Sequence, residues 1–317
     1  MAEVANATRY NNFLTKRTGL LPVLPDMLKK IMEPLFKKHG QTKLVGKGPN
    51  QDNKNYIRNT GFAVSQISEG NVLGSDDLYA ASFSGLGGSL WAKSFGDANQ
   101  FQQFNGLAVD PLGNPVMTGW LTGNANFGGG VLNGNNVDIV VVKLDKSGSH
   151  LWSRAYGNGN LQGGHSVAVD GSGNVIVAGY MNGSVNFGGG AVGPAGSSVF
   201  LLKLDANGNY VWAKTFASTQ NELRHHRIAV DAAGNIFIGG GKLGTINFGG
   251  GALATSAGAG IYDAYVAKFD ANGNHVWSKN FGDGQEQWVS DLAVDAAGNV
   301  IATGSFMGAI NFGGGVL

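Results

Sequence analysis

From about residue 71 onward, apolar and polar positions alternate in short runs broken by glycine. One stretch shows the pattern. Residues 138–145 (DIVVVKLD) form a β-branched run, followed by the turn Lys146-Ser147-Gly148-Ser149. Residues 150–156 (HLWSRAY) then place Trp152, Arg154 and Tyr156 on one side and Leu151, Ser153 and Ala155 on the other. After a variable stretch come residues 166–170 (SVAVD), a Gly171-Ser172-Gly173 turn, and residues 174–181 (NVIVAGYM). This predicts four short strands in a small antiparallel sheet, with no helical period in the region. Such a sheet is apolar on both faces and has to be covered on both.

The pattern repeats. Asn-Phe-Gly-Gly-Gly recurs with Phe127, Phe187, Phe248 and Phe312, spaced 60, 61 and 64 residues. An Ala-Val-Asp segment ends at Asp110, Asp170, Asp231 and Asp295 with the same spacings. Trp91, Trp152, Trp212 and Trp277 follow at 61, 60 and 65. Three markers on one period define units of about 71–130, 131–190, 191–251 and 252–317. Sheets that cannot cover their own faces and recur evenly stack radially, so the expected fold is an all-β propeller of four-stranded antiparallel blades. A β-helix would need shorter rungs, and a sandwich would not repeat so evenly. Strands near 292–306 and near 78–95 would supply the two halves of one closing blade. A ring of about four blades closed by strand exchange, a truncated larger propeller, and a ring completed by a second chain all stay open.

Residues 263–270 (DAYVAKFD), Ala271-Asn272-Gly273-Asn274, 277–281 and 292–304 (LAVDAAGNVIATG) resemble the bacterial seven-bladed β-propeller repeat (SBBP) proteins. The half-unit at 292–304 is also similar to NHL repeats. The resemblance covers residues 71–317, with four units where the family name has seven. It implies a propeller and an extracytoplasmic bacterial setting, secreted or at the cell surface.

Composition adds three things. Glycine numbers 53 of 317 residues, about 17 % against an ordinary roughly 7 %, while 43 % of the chain is hydrophobic, which fits strands and turns rather than a flexible linker. Cysteine is absent, so disulfides and thiolate metal sites are excluded. No apolar run approaches a membrane span, no secretory signal is visible near the N-terminus, and a net charge of +1 gives no case for nucleic acid. Charge is uneven. Residues 1–76 hold eleven Lys/Arg against six Asp/Glu, a net of +5, and the remainder eleven against fifteen, a net of −4. Residues 1–70 therefore form a separate basic leader. Within it, 26–39 reads as a helix with Leu28, Ile31, Met32, Leu35 and Phe36 on one face, and 41–70 as a polar linker.

The chemistry on offer is modest. Asp-x-x-Gly-Asn/Ser recurs at Asp110, Asp145, Asp170, Asp205, Asp231, Asp270 and Asp295. Each copy lies between two strands, so a hairpin turn is expected rather than a calcium loop. The repeated tryptophans belong to the blade core, and the cation two residues beyond each suits an outer edge strand. Both Asp turns of a unit fall at one end of its sheet. The other end carries the Asn-Phe-Gly-Gly-Gly linkers and loops that differ between units, and variety on a rigid scaffold is what recognition uses. The candidate ligand-binding residues are Gln100, Gln102, Phe104, Gln162, His165, Glu222, Arg224, His225, His226, Gln285, Glu286 and Trp288. Amides with aromatics suit a protein or glycan partner. No catalytic constellation, metal site or cofactor is expected. The alternatives are a carbohydrate-active enzyme, hydrolase or lyase, using Glu222 and Glu286, and a propeller that assembles with copies of itself.

Overall fold

A computed structural model describes residues 77–96, 101–220, 223–255 and 260–317. All belong to one unit, Gly70–Leu317. The leader, its helix and its linker lie outside the described residues. Among the described residues there is no α-helix and hence no helix able to cross a membrane.

The strands follow the predicted phase. Strands β1 (Leu78–Phe83) and β2 (Ser89–Phe95) form a two-stranded sheet. Strands β3 (Gln102–Val109), β4 (Pro115–Asn126), β5 (Val131–Leu144) and β6 (His150–Tyr156) form a four-stranded meander. Next come β7 (Gln162–Val169), β8 (Val175–Asn182), the short hairpin β9 (Val185–Asn186) and β10 (Ala191–Val192), then β11 (Ser197–Leu204) and β12 (Tyr210–Ala217). The third unit repeats this with β13 (Leu223–Val230), β14 (Ile236–Lys242), the hairpin β15 (Ile246–Asn247) and β16 (Ala252–Leu253), β17 (Asp263–Phe269) and β18 (His275–Phe281). Strands β19 (Gln287–Val294) and β20 (Val300–Phe306), the last in sequence, form another two-stranded sheet.

The sheets pack face to face in chain order, a propeller-like arrangement. Alternation along β5 shows why. Ile139 and Val141 join Val175, Val177, Phe200 and Leu202 of the following sheet in one core. Val140, Val142 and Leu144 join Leu78, Ala80 and Phe95 of the preceding one. Each such side chain contributes roughly 1.5–3 kcal/mol by leaving water, so neither face can be left bare. The first strands touch in succession, β3 to β7, β7 to β13 and β13 to β19, and therefore line the inner side of the stack.

The seven Asp turns are hairpins held by one device. Oδ1 of Asp110 accepts the amides of Leu112 at 2.9 Å and Asn114 at 2.8 Å, while Oδ2 accepts the Asn114 side chain at 3.0 Å. The same bonds recur at Asp170 and Asp205, with Ser149 replacing the Asn beside Asp145. Lys143 and Lys203 tie two of these turns down with ion pairs at 2.8 Å to Asp110 and 3.1 Å to Asp170. The turns also fasten sheet to sheet. The indole N–H of Trp91 donates to the Lys146 carbonyl at 2.9 Å, and that of Trp152 to Ala206 at 3.0 Å. The cation two residues beyond Trp152 stands on the outer edge strand β6, and it also reaches across: Arg154 Nε donates to the Gly208 carbonyl of the next sheet at 3.2 Å.

The Asn-Phe-Gly-Gly-Gly linkers depart from expectation. They leave from the loop end, but the first three form arms that turn back between the outer strands of adjoining sheets, and the fourth lies on the outer strand before it. Each phenylalanine packs on the last aromatic of the preceding outer strand: Phe127 on Phe95 at 5.0 Å, Phe187 on Tyr156 at 5.2 Å, Phe248 on Phe216 at 5.0 Å and Phe312 on Phe281 at 4.8 Å. The middle glycine lies against the ring that opens its own outer strand, Gly129 on His150, Gly189 on Tyr210 and Gly250 on His275, where a Cβ would come within 2.1 Å of a ring atom. Radially stacked sheets diverge outward, and these arms fill the gap.

Candidate functional site

Most of the candidate residues lie on the first strands rather than in loops. Gln102 opens β3 and Gln162 opens β7, and both are buried. Their amides hold the far end of the neighbouring strand: Gln102 Nε2 donates to the Thr122 carbonyl at 2.9 Å, and Gln162 Nε2 to Asn182 at 3.2 Å and to Asn158 Oδ1. Gln287, at the same register, donates to Met307 at 3.1 Å. The loop assignment of Gln102 and Gln162 is therefore corrected: a glutamine that opens a strand can spend its donors on a carbonyl and be buried at little cost. Phe104 is likewise half-buried against Phe127 at 6.2 Å. Arg224 and His225 lie on β13, where only the backbone is described, and Gln100 and Glu222 lie outside the described residues.

What the structure brings together is a polar line across the inner strands. Each first strand carries a bulge at one register: Asn105 in β3, His165 in β7, His225 and His226 in β13, and Ser290 in β19. A bulge re-aims side chains and frees backbone groups. Asn105 Nδ2 donates to the Gly164 carbonyl of the next sheet at 2.9 Å. Arg227 spans three sheets, donating from NH1 to the His165 carbonyl at 3.1 Å and from Nε to Ser290 at 3.1 Å. The rings of His165 and His226 stack at 5.3 Å, and His165 also faces Tyr180 at 5.2 Å. His226 is fully buried, with Nδ1 2.7 Å from the Tyr265 hydroxyl. Burial pushes the Tyr265 phenol well above its ordinary range, so it remains a neutral O–H. The sequence signal for this line was the offset of these residues by one unit, visible once the repeats are aligned.

Phe101 and Leu161 stand at one register of successive units, about half exposed, and Gln103 and Gln285 are exposed as well. Glu286 and Trp288 are partly exposed, and the Trp288 Cβ lies against Gly241 of β14. The described residues contain no group of three or more His, Asp or Glu able to hold a metal.

No family model matches the chain. It is 27 % identical over 192 residues to the regulatory protein FlaEY of Caulobacter vibrioides, a match taking in 58 % of this chain. The match spans about a fifth of that relative's length, 19 %. Among solved structures it is similar to a Bacteroides caccae protein of unknown function, at 12 % identity and TM-score 0.41 over 76 % of this chain and 70 % of that one. The apocarotenoid oxygenase of Synechocystis follows at 11 % and 0.35, over 72 % and 56 %. A gluconolactonase from Xanthomonas campestris stands at 14 % and 0.27, over 71 % and 75 %. These likenesses are too distant to transfer a residue or an activity.

Proposed function

We propose that the chain is a non-enzymatic binding scaffold of the bacterial propeller-repeat kind, recognising a protein or glycan through the loop end of its sheets. The observation that carries this reading is the contrast between the two ends. At the turn end seven Asp hairpins use one set of bonds, and only the side chains between them vary. At the loop end, Phe101 and Leu161 are about half exposed at one register, in loops that differ between units. The test is a glycan and protein array probed with the purified chain, then with a Phe101→Ser/Leu161→Ser double variant and a turn-end control, Leu112→Ser. The double variant should lose at least tenfold in affinity while the control keeps it. Equal loss in both, or none in either, overturns the reading.

We further propose that the two end sheets are the halves of one blade. In all three four-stranded sheets the second strand pairs with the third at a fixed register: Thr118 with Val141, Ala178 with Leu201 and Gly239 with Val266. The same register would set Thr303 of β20 opposite Ala80 of β1. The chain has no cysteine, so a Thr303→Cys/Ala80→Cys variant reports cleanly. A disulfide within one chain supports closure of a single ring, and one between chains supports a ring completed by a second copy. Free thiols under mild oxidation would refute the pairing.

A further inference from the structure

The buried glutamines that open the first strands leave one atom unaccounted for. Oε1 of Gln102, Gln162 and Gln287 is buried with no hydrogen-bond partner in every case. Rotating the amides gives no relief. In Gln162 a flip would turn Oε1 onto the Asn182 carbonyl and Asn158 Oδ1, both acceptors. Each oxygen is therefore directed away from any donor.

A carboxylate stands at the adjoining position. Val137 and Leu161 are bridged in parallel between consecutive sheets, which brings Asp138 and Gln162 to neighbouring places. Asp138 is 5 % exposed, and its Oδ2 accepts the Asn135 amide at 2.9 Å while Oδ1 has no hydrogen-bond partner. In the preceding interface, the Cβ position of Gly96 lies 1.9 Å from Asp77 Oδ1 and 3.0 Å from Gln102 Oε1, so there the two oxygens share one small space.

The repeats vary at these positions as a set. Asp77, Asp138, Ser198 and Asp263 occupy one register, Gly96, Gly157, Ala217 and Gly282 a second, and Gln102, Gln162, Leu223 and Gln287 a third. Three interfaces carry Asp, Gly and Gln. The fourth carries Ser, Ala and Leu, all changed together. The glycine follows the aspartate for a steric reason: a Cβ on Gly157 would come 1.8 Å from Asp138 Oδ1. Where the carboxylate is gone, alanine is accommodated. One interface also shows what the carboxylate attracts. Lys242 Nζ sits 3.3 Å from Asp263 Oδ2, and is held by the carbonyls of Gly244 at 3.2 Å and Ala254 at 3.1 Å. The positions equivalent to Lys242 are Leu121, Met181 and Phe306, none of them a cation.

We infer that Asp138 Oδ1 and Gln162 Oε1 form an inter-sheet site for a hard, oxygen-seeking metal cation of the calcium class. One carboxylate oxygen and one neutral amide oxygen are two of the six to eight oxygens that calcium takes, and a single negative charge places the site among weak, roughly millimolar to submillimolar ones. The rival arrangement is a carboxyl that keeps its proton and donates it to Gln162 Oε1. Burial does push the Asp138 carboxyl upward, against the pull of the Asn135 amide.

The test uses the full chain freed of metal with a chelator. It follows thermal unfolding and Ca2+ stoichiometry by equilibrium dialysis, with Mg2+ and Na+ at matched ionic strength as controls. Millimolar Ca2+ should raise the melting temperature by several degrees. Two variants probe the site: Asp138→Asn, which retains a donor for Gln162, and Asp138→Ser/Gly157→Ala/Gln162→Leu, which installs the chain's own Ser-Ala-Leu set. Both should fold, bind one Ca2+ fewer and lose at least half of the calcium-dependent rise. No calcium response in the parent chain, or unchanged stoichiometry in both variants, overturns the proposal. An Asp138→Asn variant as stable as the parent at every pH and calcium concentration would assign the shared proton instead.

Discussion

Strands β14 and β20 occupy the same place in their units and read much alike, IFIGGGK against VIATGSF, yet their surroundings are opposite. Every residue of β14 is buried, because β13 and β17 flank it and sheets lie on both faces. In β20 every residue after Val300 is exposed, with Ile301 at 54 % and Phe306 at 45 %. The difference lies in the neighbours and not in the strand. A β-branched strand of this composition is stabilised by the sheets that cover it, and at the end of the stack half of that cover is missing. The free edge of β20 is also the kind of edge that seeks a partner.

A single added methyl separates the two situations most sharply. A Cβ on Gly179 of β8 would lie 2.0 Å from the Gly163 carbonyl and 2.9 Å from Phe200, with strands holding β8 on both sides. Gly179→Ala should cost on the order of 3–4 kcal/mol, a fall of roughly 10 °C in melting temperature. The same change at Gly304 meets the Trp288 carbonyl at 2.0 Å. There β20 is free on its other edge and can move away, so the cost should be about 1 kcal/mol. Equal losses in calorimetry would mean that β20 is held on both edges, and the comparison would fail in favour of a closed blade.

Acid probes the same contrast less strongly. Burial opposes ionisation of Asp110, but Lys143 and the turn's own donors outweigh it and bring its pKa from 3.8 down to about 2. A carboxylate lowered in the fold adds stability that is complete above its unfolded value and is lost as pH falls through the folded value. The contribution, about 2 kcal/mol, should therefore be full at pH 6 and nearly gone at pH 2. Asp110→Asn should cost about that much in urea unfolding at pH 6 and little at pH 2. Asp295 makes the same turn bonds, but the register that gives Asp110 its lysine would give Asp295 only Ser82. Asp295→Asn should show a weaker pH dependence, and an equal one would break the distinction.

The repeat, the strands, the Asp hairpins and the two-faced sheets were legible because each rests on local chemistry that recurs at a fixed interval. The arms and the candidate site were not, for two physical reasons. Asn-Phe-Gly-Gly-Gly carries every mark of an exposed linker, and its burial depends on Tyr156 or Phe216 from another unit. Gln102 and Gln162 read as loop ligands because burial of a polar side chain is decided by its partner, here a carbonyl some twenty residues away. The bulge that aligns His165 with His226 leaves no local mark either, since it is a property of the pairing between strands.

The smallest effect concerns the tryptophans, and it isolates what a following sheet contributes. Trp152 donates its indole N–H to the turn of the next four-stranded sheet at Ala206. Trp277 packs on Phe237 at 6.3 Å, but the sheet after it consists of β19 and β20 alone and has no third-to-fourth strand turn to receive the bond. Trp152→Phe should therefore cost about 1 kcal/mol for the lost hydrogen bond beyond the change in packing, while Trp277→Phe should cost only its packing. Chemical unfolding of the two variants measures the gap. If they lose the same amount, Trp277 has a turn to bond after all. At the repeat's spacing that turn is the one between β1 and β2, around Gly85, so equal losses would mean that the last sheet is followed by the first.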